Sequence, residues 1–170
     1  MIQQEFMFRE LPINRIHIQC KLLSAWDRPA NIEMYMSDGS LAFNSNFRIN
    51  VNGQSSPSSP QKGLNVNASS DYGDSKINYP LFQNVPGPAK YLDKFDKVKF
   101  RAWGSDRDKA LFRDAFSTLF MDHTKLDYEA YRPVVLFIDG EYWGLQELRE
   151  RDRDHSYYES HYLIDHKKQG

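Results

Sequence analysis

Short segments in which apolar and polar residues alternate with a period of two, separated by turn-forming residues, limit this chain to folds rich in β-strands. The longest example runs from Arg132 to Glu150 and is interrupted at Asp139-Gly140, a dipeptide that favours the positive φ angles of a two-residue hairpin turn. The segment therefore predicts a β-hairpin. Pairing across the turn sets Leu136 opposite Trp143 and Val134 opposite Leu145, with Phe137 and Tyr142 on the other face.

Shorter segments with the same period precede the hairpin. They predict strands at 13–19, 32–36, 47–51, 64–66 and 98–102. A loop of Gly, Ser and Pro residues separates the third strand from the fourth. The stretch 69–90 has no periodicity and is interpreted as a long, partly packed connection.

One segment has the period of a helix instead. After a possible cap at 105–108, apolar residues recur at three- and four-residue spacing, which places them on one broad helix face. These residues are Leu111, Phe112, Ala115, Phe116, Leu119 and Phe120. Strands with one packed amphipathic helix predict an α+β fold with a mainly antiparallel sheet.

Size and composition predict one domain spanning residues 1–170. Lys and Arg number 22 against 23 Asp and Glu, so the charge of -1 gives no reason to expect nucleic acid or a membrane as a partner. Cys20 is the only cysteine, which excludes an intramolecular disulfide and a thiolate metal cage. The sequence contains no recognisable signal peptide or membrane span, so the compartment is left unassigned.

The loop at 52–62 is the strongest candidate for chemistry. Lys62 follows it and is in phase with Leu64 and Val66, so its side chain faces the core side of the strand or a cleft. Backbone N–H groups and hydroxyls near Gly53, Ser55 and Ser56 could bind phosphate oxygens while Lys62 neutralises them. The alternative is a Ser/Pro hairpin loop with an edge lysine.

Four further residues are candidates around this loop. Asp114, on the predicted helix, is an acid that could orient Lys62, or it could form a solvated pair with a neighbour. Gly144 interrupts a strand, where either a flat ligand or a neighbouring aromatic side chain could approach closely. Glu147 and Glu150 could bind a ligand, although facing water beside Arg149 and Arg151 is the commoner arrangement.

Several blocks in order resemble the CotH kinase family of atypical protein kinases. They are WDRP at 26–29, DGSLAF at 38–43, PQK at 60–62, DYG at 71–73 with NYPLF at 78–82, RAWGSD at 101–106 with FRD at 112–114, and YRP at 131–133 leading to IDGEYWGL at 138–145 and LRE at 148–150. The resemblance covers roughly residues 26–164, and the last block is the most specific.

The resemblance implies the small lobe of a kinase that binds ATP with Mg²⁺ or another divalent metal and phosphorylates Ser or Thr in proteins, including spore-coat proteins. It implies that Lys62 contacts the phosphates and that 148–150 leads to the hinge where adenine binds. The expected ATP-binding residues are Lys62, Gly53, Ser55, Ser56, Asp114, Gly144, Leu148 and Glu150.

The family's catalytic Asp-Trp segment and metal-binding motif are expected well beyond the hinge, whereas these residues end at Gly170. We therefore expect the N-terminal, ATP-binding portion of a kinase, inactive without its C-terminal lobe. The alternative is a noncatalytic module that binds a protein or a surface. The family implies a spore-coat or other extracytoplasmic location as a possibility.

Overall fold

The computed structural model describes residues 13–19, 27–52, 60–103, 109–110, 112–122, 124, 126–150 and 155–162. The strands are Asn14–Gln19 (β1), Arg28–Tyr35 (β2), Leu41–Asn52 (β3), Gly63–Asn67 (β4), Lys97–Arg101 (β5), Tyr131–Ile138 (β6) and Glu141–Glu150 (β7). The helices are Arg113–Leu119 (α1) and His155–Tyr162 (α2), and Pro88–Tyr91 forms a 3-10 turn. Every predicted strand is present, but β2 and β3 begin four and six residues before their predicted starts at Ile32 and Phe47.

The strands form a closed barrel in the order β1-β2-β3-β4-β5-β7-β6. Neighbouring strands are antiparallel, except that β1 pairs in parallel with β6 and thereby closes the barrel. In that pairing Ile16 lies opposite Leu136.

Alternate residues of the strands fill the barrel interior. They include Ile16, Ile18, Ile32, Met34, Phe47, Ile49, Leu64, Val66, Val98, Phe100, Val134, Leu136 and Leu148. The cavity left among them measures about 10 Å³, roughly the space of one water molecule. A ligand of any size must therefore bind at the rim or on the outer face of the barrel.

The predicted fold class is wrong. We expected an α+β arrangement, an antiparallel sheet with one packed helix like a kinase small lobe, and the structure is a closed mixed barrel. The parallel pairing of β1 with β6 joins segments that are far apart in the sequence, and no turn signal announces it. Because the sheet closes on itself, its apolar face is covered by its own strands, and no open face remains for a helix to cover.

The predicted amphipathic helix is correspondingly short and does not pack its apolar face. Helix α1 has seven residues, and Ala115 is its one buried residue. Phe112, Phe116 and Phe120 recur at four-residue spacing as predicted but are 62%, 53% and 67% exposed. Leu111 lies outside the described residues.

The predicted β-hairpin is confirmed, with one change of register. Asp139 and Gly140 have φ angles of 51° and 83°, as the turn requires. Phe137 lies opposite Tyr142, but an irregularity between Leu136 and Phe137 shifts the remaining pairs by one residue. The observed pairs are Leu136 with Gly144, Val135 with Leu145 and Val134 with Gln146.

Candidate functional site

Lys62 lies at one rim of the barrel, directly before β4. Its backbone carbonyl accepts hydrogen bonds from the Trp143 indole N–H at 3.2 Å and from the Gln146 side-chain amide at 3.0 Å. Leu64 is opposite Phe100, so the antiparallel register brings Lys62 beside the end of β5 that carries Arg101. Gly53, Ser55 and Ser56 of the predicted phosphate loop lie outside the described residues.

Gly144 is near the same rim and is contacted by a side chain. The Gln61 side-chain amide donates to the carbonyls of Trp143 at 3.2 Å and Leu145 at 3.3 Å. A Cβ at Gly144, where φ is 130°, would collide with that amide. The close approach expected at this glycine is therefore made by Gln61, a residue that sequence analysis did not consider for this position.

Leu148 and Glu150 lie farther along β7, away from Lys62. Six residues of strand separate Gly144 from Glu150, a distance of about 20 Å. The Leu148 side chain is in the barrel core. Glu150 is buried, accepts a hydrogen bond from the Ala130 N–H at 3.0 Å, and contacts His161 of α2 at 2.6 Å. Their roles at adenine stay predictions.

Asp114 of α1 lies against the outer face of the barrel, where it meets two arginines. Its Oδ2 atom is 2.7 Å from Arg101 Nη1 of β5 and 2.7 Å from Arg149 Nη2 of β7. Glu147 of β7 lies beneath the pair, with its Oε2 atom 2.8 Å from Arg149 Nε and 3.4 Å from Arg101 Nη1. The observed partners of Asp114 are the two arginines. That Asp114 orients Lys62 stays a prediction.

Two further charges extend this group. Glu129 is 2.9 Å from Lys99 and 3.9 Å from Arg149. The outer-face cluster, defined as Lys99, Arg101, Asp114, Glu129, Glu147 and Arg149, thus has three cations and three carboxylates that share contacts. Its formal charge is balanced only while all three carboxylates are ionised.

Glu147 is the most buried member of the cluster, with no exposed surface. Burial raises the pKa of its carboxyl group, and the nearby guanidinium groups of Arg149 and Arg101 oppose part of that effect. Its Oε1 atom is buried and has no hydrogen-bond partner among the described residues. The cluster therefore contains one carboxylate whose charge is costly to maintain.

Strand periodicity explains how these side chains meet. Lys99 and Arg101 alternate with the core residues Val98 and Phe100, so both cations point outward from β5. On β7, Glu147 and Arg149 alternate with Leu148 in the same way. Register then aligns the two strands: Arg101 is opposite Glu147, and Lys99 is opposite Arg149.

The sequence analysis missed Arg101 as a candidate and misjudged Glu147, Glu150 and Arg149. The expectation that the two acids face water is wrong, because Glu147 and Glu150 are buried, as is Arg149. The predicted hairpin could have indicated this burial, because both of its faces are covered. A strand covered on both faces also buries its charged residues, and buried charges must pair.

A cleft of about 240 Å³ opens beside the outer-face cluster. Asp114 and Arg149 line it, together with the hydroxyl-bearing residues Ser117, Thr118 and Tyr128 and the acids Asp127 and Glu129. It gives solvent a route to the point where Asp114 bridges the arginines.

Among the described residues, no group of three or more His, Cys, Asp or Glu side chains is arranged to hold a metal ion.

Comparison with known protein families identifies the family of this chain. A family model described as CotH kinase protein matches residues 49–169, from within β3 past the end of α2. The chain therefore belongs to the CotH kinase family, as its sequence blocks predicted. No curated protein matches the chain. No helix in the described part of the chain is long and apolar enough to cross a membrane.

Proposed function

We propose that these residues form the nucleotide-binding portion of a CotH-type protein kinase. The observation that carries the proposal is the ion pair between Arg101 at the end of β5 and Asp114 on α1. Protein kinases use a strand cation paired with an acid on the following helix to organise their contacts with the nucleotide phosphates. A strand cation and a helix acid are paired here in the same chain order.

Lys62 and Arg101 are the cations proposed to neutralise the phosphates of ATP. They come from the facing ends of β4 and β5 at one rim, and the hydrogen bonds to the Lys62 carbonyl hold the start of β4 in place. The metal proposed to accompany ATP, Mg²⁺ or another divalent ion, would supply further charge neutralisation when bound. The packed interior leaves the rim and outer face as the surfaces for this ligand.

Nucleotide binding is the activity proposed for these residues, as one part of phosphoryl transfer by the kinase domain. Phosphoryl transfer depends on positioning the acceptor hydroxyl and on metal ligands. In the complete kinase domain, we propose that Ser or Thr side chains of proteins, including those of the spore coat, are the acceptors.

The proposal is tested by titrating Mg-ATP into the wild type, Lys62→Ala and Lys90→Ala and measuring heat. Lys90 is an exposed lysine of the 3-10 turn and is the matched control, because its loss changes the net charge equally. Loss of one charge-assisted phosphate contact, about 1.5–3 kcal/mol, should weaken binding at least about tenfold in Lys62→Ala and leave Lys90→Ala unchanged. A folded wild type that binds no Mg-ATP, or equal affinity in Lys62→Ala, contradicts the proposal.

A noncatalytic binding module is the second candidate, and the exposed phenylalanines of α1 favour it. Phe112, Phe116 and Phe120 form an apolar row, with the last two rings 5.0 Å apart between centroids. Exposed apolar patches commonly mark surfaces that contact other proteins. Absence of nucleotide binding by the folded chain would favour this function.

A further inference from the structure

Gln61, the residue directly before Lys62, bridges two backbone carbonyls of β7. Its side-chain amide donates to the Trp143 carbonyl at 3.2 Å and to the Leu145 carbonyl at 3.3 Å. A primary amide has two N–H donors, so one side chain can serve both acceptors. The residue between the two carbonyls is Gly144, which leaves room for the amide because it has no Cβ.

The Leu145 carbonyl is held by a second donor. The indole N–H of Trp103, two residues beyond the end of β5, donates to it at 2.7 Å. Trp103 is buried and has a φ of 57°, a conformation that is strained for a bulky residue and persists only where the surrounding structure fixes it. The acceptor of Gln61 is therefore a rigid part of the rim, and it also ties the end of β5 that carries Arg101 to β7.

Lys62 is attached to β7 at two points. Its own carbonyl accepts hydrogen bonds from Trp143 and Gln146, and Gln61 provides the second attachment one residue earlier. A single anchored atom leaves a residue free to rotate about it, whereas anchors on two neighbouring residues also fix its direction. Since the lysine side chain is a flexible stem, the direction of the backbone at Lys62 determines where its ammonium group can reach.

The sequence before Gln61 contains few other groups that could anchor Lys62. Residues 54–60 are one Gln, four Ser and two Pro, so no large apolar side chain is available for burial. The two hydrogen bonds of Gln61 are long, and ordering its side chain costs rotamer freedom that offsets much of their free energy. Gln61 is therefore expected to contribute more to the position of Lys62 than to the stability of the fold.

We propose that Gln61 is a positioning residue for binding of the nucleotide phosphates. By bridging the two carbonyls of β7, it holds Lys62 in the direction from which the ammonium group neutralises phosphate. The inference rests on the proposed function of Lys62. A cation that is fixed in advance loses less freedom on binding, so the anchor raises the affinity for ligands with phosphate groups and leaves the affinity for a ligand without phosphate unchanged.

The test is calorimetric titration of Mg-ATP into the wild type, Gln61→Ala and Gln61→Met. Methionine is similar to glutamine in length but has no N–H donor. We expect both variants to bind Mg-ATP about fivefold more weakly, the effect of having to order one more long side chain on binding. Gln83→Ala, at an exposed glutamine of the connection 69–90, is the matched control and should bind as the wild type does. Wild-type affinity in Gln61→Met overturns the inference.

Two further measurements separate positioning from a general loss of structure. Adenosine, which has no phosphate, should bind equally to the wild type and Gln61→Ala, and the urea midpoint should change little. In the Lys62→Ala background, Gln61→Ala should cause no further loss of Mg-ATP affinity, because it acts through Lys62. An equal loss of adenosine affinity, or the same loss of Mg-ATP affinity in both backgrounds, overturns the positioning role.

The same titrations distinguish failure of this inference from failure of the proposed function. Lys62-dependent binding of Mg-ATP that is unchanged in Gln61→Ala supports the nucleotide function and overturns the positioning role. Inorganic pyrophosphate bound as tightly as Mg-ATP, and more weakly by Gln61→Ala, supports the positioning role and contradicts the nucleotide function. A folded wild type that binds neither ligand overturns both.

Discussion

At the rim of the barrel, the Gln61 side-chain amide packs closely against Gly144, where a larger residue would not fit. We predict that Gly144→Ala lowers the free energy of unfolding by about 2–3 kcal/mol, measured by urea denaturation. Positive φ costs a residue with a Cβ about 1–2 kcal/mol, and displacing the Gln61 amide weakens its two long hydrogen bonds, which costs about 1 kcal/mol more.

The matched control for this substitution is Gly140→Ala in the hairpin turn. Gly140 also has a positive φ, but a Cβ there meets nothing within 4 Å, so only the backbone strain is expected. Equal destabilisation by the two substitutions would show that the Gln61 contact does not explain the glycine.

Glu147 predicts a pH dependence of stability. Burial raises the pKa of its carboxyl group above the ordinary 4.5, so the folded chain keeps this proton at a pH where the unfolded chain has released it. The resulting stabilisation is complete below pH 4.5 and is lost as pH rises through the folded-state pKa. Replacing Glu147 with Gln removes the titration.

The free energy of unfolding of the wild type, relative to that of Glu147→Gln, should therefore fall as pH rises from 4.5. Urea denaturation over a series of pH values measures this difference. Glu141→Gln, at an exposed position of the same strand, is the control. The difference in free energy of unfolding between the wild type and Glu141→Gln should not fall in this way as pH rises. Parallel pH profiles for the wild type and Glu147→Gln would contradict the prediction.

At the scale of elements, α1 shows that a helical period does not imply a packed helix. We predict that Phe116→Ala changes the free energy of unfolding by less than about 0.5 kcal/mol, because its ring is half exposed. Phe100→Ala, the same change in the barrel core, should cost about 3–5 kcal/mol. Urea midpoints of the two variants test this, and a large loss in Phe116→Ala would indicate that α1 is packed after all.

The hairpin shows that the extent of an element is easier to predict than its register. The Asp139-Gly140 turn and both strands follow from local sequence. The irregularity between Leu136 and Phe137 does not follow from local sequence. It places Gly144, instead of Trp143, opposite Leu136. A shift of one residue reverses which side chains face the core, so register determines which charges reach the outer face.

At the scale of the whole molecule, closure through β1 predicts cooperative unfolding. Ile16 is buried, and its strand pairs with β2 and β6. We predict that Ile16→Ala costs about 2–5 kcal/mol and lowers the urea midpoint equally by tryptophan fluorescence and by circular dichroism. Gln19→Ala, an exposed position of the same strand, is the control. Separate transitions by the two probes would show that β1 unfolds without the rest of the barrel.

The candidate site depends on the fold of the whole molecule, because no single segment of the chain contains all of its residues. Lys62, Arg101, Asp114 and Arg149 come from four separate parts of the chain. Sequence blocks predicted the family and the candidacy of Lys62 and Asp114, since these are local patterns. The partners of Asp114 depend on the alignment of β5 with β7 and on the position of α1, which no local pattern specifies.

The strands, the hairpin turn and the helical period of α1 follow from local sequence, because backbone preference and alternation act over a few neighbouring residues. Long-range packing sets the closure of the sheet, the exposure of the α1 phenylalanines, and the burial of Glu147 and Arg149 as partners. Each of these outcomes depends on contacts between distant segments, above all the parallel pairing of β1 with β6, whose free energy is gained only when the whole barrel is assembled.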